Sequence, residues 1–359
     1  MIAPFVIFAL PRSRTYWLSR FLSYGDWTCG HDEARHFRSL EDIRSWLSQD
    51  CTGTVETAVA PWWRLLAKYR PDARVVIVRR PVEEVVNSLM ALDMRGTVAF
   101  DRTVLTRTMK RLDAKLDQVA ARWPNALSVQ YADLVDGATC ARIFCHCLPY
   151  PFDVAWWSTF ANVNLQCSMT EMMRYYKAYQ PQLTKIGAIA KQTILTDLAA
   201  RPCVPLDGMV IETEPLETFL RDGVDLFAEH SVEVGEEPDS YLRKNIPQHR
   251  LLEENGRLQI VTARANGRMF GYLMTVIGPS LETPDTLWSV QTTFFASKDA
   301  PGLGLKLQRA SLVRLKAKGV DEVFFRAGPR GSGPKMGILY RRLGAAPDGE
   351  TYRLNLGAV

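Results

Sequence analysis

Two continuous apolar segments most constrain how this chain of 359 residues can fold. They are Phe5–Leu10 and Val75–Val78, and each is followed by a short polar segment and an amphipathic helix. An uninterrupted apolar run of this kind is typical of a strand that is buried on both faces of a parallel sheet. A third strand is predicted at Leu127–Tyr131. Strands that alternate with helices from Phe5 to Phe152 predict an α/β layer fold with a largely parallel sheet.

The second half of the chain has a different order of elements. A strand at Met209–Glu212 and a helix at Pro215–Glu229 precede a hairpin, whose turn is Asn266-Gly267. A long strand, Leu287–Phe295, then leads through Pro301 and two glycines into a helix that extends to Leu315. The remaining predicted elements are the strand Glu322–Arg326, the helix Met336–Leu343 and the strand Thr351–Leu356.

Between the two halves lies a connector rich in methionine and tyrosine. Its apolar spacing predicts two amphipathic helices that are broken near Gln180-Pro181. Packing between domains or subunits is the favoured role of this apolar stripe. The segment Arg201–Pro205 marks a boundary. We therefore predict an α/β domain at 1–165, a helical connector at 166–205 and a mixed-sheet α+β domain at 206–359.

Composition excludes several classes of protein. The chain is 47% hydrophobic and 23% charged, as in ordinary globular proteins, and its net charge of +5 could favour anionic small molecules. No dense stripe of basic and aromatic residues points to nucleic acid. No apolar run reaches the roughly 18 residues that indicate a membrane span. The N-terminal apolar segment lacks a basic start and a cleavage site, which predicts no signal peptide.

The cysteines favour a cytoplasmic protein without a metal site. Their number, seven, is odd, and they are scattered along the chain, which fits a reducing compartment. The one cluster, Cys145-His146-Cys147, has no second ligand pair at the spacing of a zinc site. No metal is therefore expected.

The first half carries three motifs that resemble those of sulfotransferases. The segment Pro11–Leu18 is similar to the loop P-[KR]-[ST]-G-[ST]-[ST]-W-L of that family, with Arg14 at the position of the glycine and Tyr16 at that of the second hydroxyl residue. The segment Val76–Ser88 resembles its 3′-phosphate segment, and Val129–Leu134 resembles a later strand of the family. The resemblance implies a parallel-sheet, three-layer domain that binds 3′-phosphoadenylyl sulfate without a metal.

The same resemblance implies roles for individual residues. Arg12 would bridge the transferring sulfuryl group and the leaving phosphate. The 3′-phosphate would be held by Arg79 and Ser88. Apart from the resemblance, sulfuryl transfer needs a base for the acceptor hydroxyl, and the candidates are His31 and Glu56, which follow early strands or loops. The 5′-phosphate would be held by the hydroxyl of Thr15 and by backbone N–H groups of the loop Ser13, Arg14, Thr15 and Tyr16. Arginine suits such sites because its guanidinium pairs two oxyanion oxygens at once.

The glycine turn of the second half is a candidate anion site. A helix that begins at a Gly-Leu-Gly turn presents unpaired N–H groups and the positive end of its dipole. The segment Ala300–Leu305 resembles the R/Q-x-x-G-x-G/A loop of GNAT acyltransferases, with Asp299 at the position of R/Q. The segment Ile338–Ala345 resembles the "l-Y-e-k-l-G-F" segment of that family. The element order of the second half also resembles the GNAT fold.

This second resemblance implies acetyl-CoA or another acyl-CoA as the donor. Tyr340 would protonate the departing thiolate, and the strand residues near Phe295 and Ala296 would pair with pantetheine. The pyrophosphate would be held at the turn by Gly302 and by the N–H groups of Leu303, Gly304 and Leu305. The base that takes the proton of the acceptor amine is not assigned, because the long strand offers no carboxylate.

Three functions remain open at this point. The favoured one is acyl-CoA-dependent N-acyl transfer, combined with a sulfotransferase-like nucleotide-binding domain. The second is a non-enzymatic structural or assembly protein, for example a virion component, that reuses both folds as part of an oligomer or larger assembly. The third is an active sulfotransferase. The acceptor, whether a small molecule or a protein amine, is not specified by the sequence.

Overall fold

The computed structural model describes residues 3–57, 62–92, 101–165, 169–280, 283–327 and 333–348, and gives side chains for all of these except 169–180 and 333–334. The chain divides into two compact units. The first takes its residues from 1–197 and 237–243, and the second from 198–236 and 244–359. Each unit contains one five-stranded sheet.

The sheet of the first unit is parallel throughout, as predicted. Its strands have the spatial order β2-β3-β1-β4-β5, so that the chain adds strands on both sides of β1. Ligands of open α/β sheets bind at the carboxyl ends of the strands, where the strand order reverses. The five strands are β1 Phe5–Ala9, β2 Thr28–His31, β3 Thr52–Glu56, β4 Arg74–Arg79 and β5 Leu127–Gln130.

Alternate residues of β1 enter two separate cores. Val6 and Phe8 lie in one core and Phe5 and Ile7 in the other, and all four side chains are completely buried. Helices therefore cover both faces of the sheet, which gives the three layers that the apolar runs predict. These helices are α1 Thr15–Phe21, α2 Leu40–Leu47, α3 Trp62–Tyr69, α4 Val82–Met90, α5 Arg102–Arg122, α6 Gly137–Cys147 and α7 Val154–Phe160.

The predicted break in the connector is wrong. Helix α8 runs without interruption from Met169 to Ala200, with Pro181 inside it. Proline removes one backbone hydrogen bond from a helix, but packing can maintain the helix across that position. Here Ile186 and Ala190 are buried in the first core, and Leu183 packs against it. Tertiary contacts of the residues after Pro181 thus outweigh the local effect of the proline.

The sheet of the second unit is mixed, as predicted. Its order is β10-β9-β8-β7-β6, with antiparallel pairs except for the parallel pair β9–β10. The strands are β6 Val210–Thr213, β7 Leu258–Ala265, β8 Arg268–Pro279, β9 Leu287–Ala296 and β10 Glu322–Phe324. The helices are α9 Leu216–Asp222, α10 Val224–Glu233, α11 Ile246–Glu254, α12 Leu303–Ala317 and α13 Gly333–Arg342. Short 3-10 helices lie at Glu33–His36 and Tyr131–Val135 in the first unit, and at Ser240–Arg243 in the segment that returns to it.

Local turn signals explain most of these boundaries. Asn266 and Gly267 have φ values of 49° and 75°, the left-handed pair that a two-residue hairpin requires. The single helix predicted at 215–229 is instead two helices separated at Gly223, because glycine is a poor helix former and ends α9. The predicted strand Thr351–Leu356 lies outside the described residues.

Candidate functional site

Strand β9 separates from its parallel neighbour part-way along its length. It pairs with β8 from Leu287 to Ala296, but with β10 only at Trp288, Ser289 and Val290. Within the part of the chain that the structure describes, no strand pairs with this edge of β9 beyond Val290. The free backbone groups of residues 291–296 can therefore pair with an extended ligand in the manner of an added strand.

A β-bulge lies where this free edge begins. Met274 pairs with Thr293 and Thr275 with Gln291, which leaves Thr292 as the extra residue of β9. A one-residue insertion reverses which face of the sheet the following side chains occupy. Gln291 before the bulge reaches α12, whereas Thr293 after it reaches Lys244. The bulge therefore presents polar side chains of neighbouring β9 residues on both faces of the sheet.

The start of α12 lies beside the same strand. Gly302 has φ 85°, a left-handed conformation that is strained for other residues. A Cβ on Gly304 would lie 3.1 Å from the tip of the Phe294 ring, which is tighter than an ordinary van der Waals contact, so a side chain here requires that ring to move. Leu303 N–H donates to the Ala300 carbonyl oxygen at 3.1 Å, which leaves the N–H groups of Gly304 and Leu305 as the first-turn donors for a ligand.

The carboxylate of Asp299, just before this turn, is neutralised. Its side chain is 3% exposed and forms ion pairs with Arg268 at 3.0 Å and with Arg201 at 3.5 Å. Arg201 also pairs with the buried Glu229 at 2.9 Å, and Glu229 accepts a hydrogen bond from Ser297. Burial raises the pKa of Glu229. Asp299 thus anchors the loop to two arginines, which compensate its charge.

Tyr340 connects the two strands at the point where they separate. Its hydroxyl donates to the Arg326 carbonyl oxygen, just after β10, and accepts from Gln291 Nε2 of β9, both at 3.0 Å. Gln291 in turn accepts from Gln308 of α12 at 2.8 Å. Burial raises the pKa of Tyr340, and the hydrogen bond from Gln291 opposes this shift. The hydroxyl therefore remains protonated at neutral pH, which is the state an acid needs.

A second polar group lies on the opposite face of β9. Lys244 Nζ donates to Thr293 Oγ1 at 3.1 Å, and burial lowers its pKa to about 8. His230 Nδ1 lies 2.6 Å from the Tyr272 hydroxyl, and its ring stacks on Phe295 with centroids 4.6 Å apart. Burial, followed by the charge of Lys244, lowers the pKa of His230 to about 4. The sequence gives no signal for this group, because neither basic residue belongs to a motif and only the fold brings them together.

In the first unit, the loop after β1 contacts the helix after β4. Arg12 Nε donates to Ser88 Oγ at 3.2 Å, and Arg80 donates to the Arg12 carbonyl oxygen. Arg12 and Arg14 have φ values of 66° and 57°, although neither is glycine. Ser13 Oγ is buried without a hydrogen-bond partner among the described residues. Four of the predicted residues, Arg12, Ser13, Arg14 and Ser88, thus lie in or against one loop.

His31 belongs to the same end of this sheet. Its Nε2 lies 3.1 Å from Thr15 Oγ1, and the ring of Tyr16 packs edge-on against it with centroids 5.6 Å apart. Burial lowers the pKa of His31, while the neighbouring Asp32 raises it. Glu56, the other candidate base, is fully buried and accepts from the Thr54 hydroxyl at 2.8 Å. His31 therefore lies against the predicted loop residues, whereas Glu56 is bound within β3.

Arg79 is engaged elsewhere. It forms ion pairs with Asp113 at 3.1 Å and with Asp117 at 2.7 Å, both on α5. A guanidinium that already pairs with two carboxylates has its donors directed towards them. The structure thus joins Arg12 to Ser88 but directs Arg79 towards α5.

Among the described residues, no group of three or more His, Cys, Asp or Glu side chains is arranged to hold a metal ion. His146 of the Cys145-His146-Cys147 cluster lies with its Nε2 3.0 Å from the Val75 carbonyl oxygen. No helix in the described part of the chain is long and apolar enough to cross a membrane.

Comparisons with known proteins identify only structural neighbours. No protein-family model and no curated protein matches the chain. Structural neighbours that cover about 42% of the chain are GNAT-family acetyltransferases. One is a ribosomal-protein-alanine N-acetyltransferase from Brucella melitensis biovar Abortus, with 16% identity, a TM-score of 0.34, and coverage of 42% of this chain and 99% of that chain.

Two other neighbours are similar to the same extent. An aminoglycoside acetyltransferase from an uncultured soil metagenomic sample has 16% identity and a TM-score of 0.35, and covers 42% of this chain and 97% of its own. A glucosamine-6-phosphate N-acetyltransferase from Arabidopsis thaliana has 12% identity and a TM-score of 0.33, and covers 41% of this chain and 98% of its own. At these identities and TM-scores the likeness carries no argument about the activity of this chain.

Proposed function

We propose that the second unit is a GNAT-like N-acyltransferase that uses acetyl-CoA or another acyl-CoA as donor. The observation that carries this proposal is the separation of β9 from β10, with the Tyr340 hydroxyl held at the opening by Gln291 and the Arg326 carbonyl oxygen. An extended pantetheine arm can pair with the free edge of β9 at residues 294–296. The protonated hydroxyl of Tyr340 then has a role as the acid for the departing thiolate.

The start of α12 supports the same proposal. N–H groups at a helix N-terminus, together with the helix dipole, favour a pyrophosphate. Gly304 and Leu305 supply these donors, and the absence of a side chain at Gly304 keeps the approach to Phe294 open. Asp299 does not oppose an anion at the turn, because Arg201 and Arg268 compensate its charge. The residues of this turn therefore fit the proposed donor.

Ligand-dependent thermal stability tests this proposal. A ligand present at 100 times its dissociation constant adds about 2.7 kcal/mol to the free energy of unfolding. Acetyl-CoA should therefore raise the melting temperature of the wild-type chain. In Gly304→Val the new side chain meets Phe294, and the shift should disappear. Gly278→Val is the matched control, because a Cβ at that position has no atom within 4 Å. A wild-type melting temperature that does not respond to acetyl-CoA would contradict the proposal.

For the first unit we propose, as a second function, the binding of a 3′-phosphorylated nucleotide such as 3′-phosphoadenylyl sulfate. The specific observation is the hydrogen bond from Arg12 to Ser88, which joins the loop after β1 to the helix after β4 where the strand order reverses. Sulfuryl transfer would then use Arg12 against the leaving phosphate and His31 as the base.

Calorimetric titration with adenosine 3′,5′-bisphosphate tests this second function. Arg12→Ala should lower the affinity by about tenfold or more, since hydrogen bonds to charged groups contribute about 1.5–3 kcal/mol. Arg38→Ala, at an exposed position of the same unit, is the control and should bind as wild type does. If neither nucleotide nor acetyl-CoA binds, the non-enzymatic assembly function becomes the better proposal, and the oligomeric state in solution is the next measurement.

A further inference from the structure

Lys244 is a desolvated lysine without an acidic partner. Its side chain is half-buried, its Nζ donates to Thr293 Oγ1 at 3.1 Å, and no carboxylate among the described residues forms an ion pair with it. A buried charge is normally compensated by an opposite one. Asp239 of the first unit follows that rule, with Lys115 at 3.0 Å and Arg64 at 3.2 Å. Lys244 is therefore in an environment that favours the neutral amine.

A neutral lysine is a nucleophile, and a charged one is not. Burial lowers the pKa of Lys244 from 10.5 to about 8. At pH 7 roughly a tenth of such side chains is unprotonated, against far less than a hundredth for an ordinary lysine. Burial, followed by the charge of Lys244, lowers the pKa of the neighbouring His230, so that this imidazole is neutral at the same pH.

The position of Lys244 relates it to the proposed acyl site. Thr293, which holds the amine, directly follows the bulge at Thr292, where β9 has lost its parallel neighbour. Gln291, which holds the Tyr340 hydroxyl, directly precedes the same bulge. Because the bulge puts Gln291 and Thr293 on opposite faces of the sheet, the phenol and the amine reach the start of the free edge from opposite faces, one on each side of a donor paired with that edge.

We propose that Lys244 is itself an acyl acceptor, so that the second unit modifies its own chain at the Nζ held by Thr293. This inference rests on the proposed acyl transfer and deepens it. In the step, the neutral Nζ attacks the thioester carbonyl carbon, an N–C bond forms and the C–S bond breaks. Nζ releases one proton to solvent, and the leaving thiolate takes one from Tyr340, which solvent restores. The products are an amide at Lys244 and a free thiol.

Mass-spectrometric mapping of the full-length chain after incubation with acetyl-CoA tests the inference. Lys244 should gain one acetyl group at least about tenfold faster than Lys318, an exposed lysine at the end of α12, because a held nucleophile needs no encounter step. Lys244→Arg should abolish the fast modification while retaining the charge. Thr293→Val should slow it about tenfold, since it removes the group that positions Nζ.

Parallel melting curves separate the two proposals. Acetyl-CoA that raises the melting temperature while Lys244 reacts no faster than Lys318 overturns this inference and leaves the acyltransferase function intact. Acetyl-CoA that neither binds nor reacts overturns both. Undiminished labelling of Lys244 in a folded Gly304→Val chain that no longer binds acetyl-CoA also overturns the inference, because the lysine would then react with donor from solution.

Discussion

Each unit places a left-handed residue in the loop between a strand and a helix, but the residue types differ. In the second unit the position before α12 is Gly302, with φ 85°. In the first unit the corresponding loop uses Arg12 and Arg14, with φ 66° and 57°. A left-handed conformation costs a residue with a Cβ roughly 1–2 kcal/mol. The left-handed turn is therefore unstrained in the second unit, where glycine adopts it. In the first unit its cost must be offset by contacts of the two arginines with the rest of the unit.

The contacts that fix the two loops differ accordingly. Arg12 is tied to Ser88, and Arg14 donates to the Leu134 carbonyl oxygen at 3.2 Å, so side chains from distant parts of the unit hold the first loop. The second loop is fixed by the ion pairs of the buried Asp299 with Arg201 and Arg268. Its glycines carry no side chain that would cover the backbone N–H groups at the start of α12. A loop without side chains over its donors is the better cradle for a phosphate. We therefore expect the stronger ligand response in the second unit.

The largest expected effect is on acyl transfer by Tyr340→Phe. A general acid typically accelerates a reaction 100- to 10,000-fold, so its loss should lower the rate of acyl transfer by about this factor. The shift in melting temperature with acetyl-CoA should remain, because the phenol acts on the leaving group and not on the pyrophosphate. Release of free thiol from acetyl-CoA with an amine acceptor, or labelling of Lys244, measures the rate.

Tyr16→Phe is the matched change in the first unit. Its hydroxyl accepts from Arg20 at 2.9 Å and has no part in the proposed acyl site, so transfer should proceed at the wild-type rate. A similar loss of rate in both variants would mean that the proposed difference between the two units does not hold.

The next largest effect concerns acid stability, where the two units contain contrasting histidines. Burial lowers the pKa of both histidines; the carboxylates of Asp32 and Glu33 partly oppose this effect at His31, whereas the charge of Lys244 adds to it at His230. The pKa of His230 falls from 6.5 in the unfolded chain to about 4 in the folded one. The unfolded chain therefore binds the proton first as the pH is lowered. The contribution to stability is complete above pH 6.5, is lost progressively as the pH falls to about 4, and amounts to roughly 3 kcal/mol.

Urea unfolding followed by hydrogen exchange measures this loss separately in peptides from each sheet. Between pH 6.5 and 4, peptides of β8 should lose protection more steeply than peptides of β1. His230→Gln keeps a polar group near Tyr272 but does not titrate, and should flatten the dependence in β8 alone. An unchanged slope in that variant would show that other groups govern the acid response.

Features of the fold that are determined by residues adjacent in sequence could be predicted from the sequence. The apolar runs at β1 and β4 predicted a parallel sheet, and Asn266-Gly267 predicted the hairpin, because burial on both faces and a left-handed turn are encoded locally. Strands β2 and β3 were not recognised, since Thr52-Gly53-Thr54 has no apolar run and becomes a strand by pairing with β1 and β2. The break predicted at Pro181 was wrong for the same reason, because contacts distant in sequence decided the outcome.

In the candidate site, too, the features set by adjacent residues were predictable and those set by residues distant in sequence were not. The glycine turn and Tyr340 belong to recognisable local motifs, although their roles remain predictions. The neutralisation of Asp299 was not predictable, since Arg201 and Arg268 are distant in sequence from it. Lys244 and His230 were overlooked because their environment is created by burial beside β9. Local chemistry can be inferred from residue type and spacing, whereas charge compensation and desolvation need the fold.

The smallest expected effects test the contrast between the two loops directly. Gly302→Ala should lower the free energy of unfolding of the second unit by about 1 kcal/mol, because alanine is strained at φ 85°. Gly278→Ala, where φ is not in the left-handed region, is the control and should lower the free energy of unfolding less.

Arg14→Gly should change the free energy of unfolding of the first unit by less than about 0.5 kcal/mol. Relief of strain is offset by the lost hydrogen bond to the Leu134 carbonyl oxygen and by the greater freedom of glycine in the unfolded chain. Denaturant titrations at constant pH measure all three, and a loss in Arg14→Gly as large as that in Gly302→Ala would mean that side-chain contacts dominate the first loop.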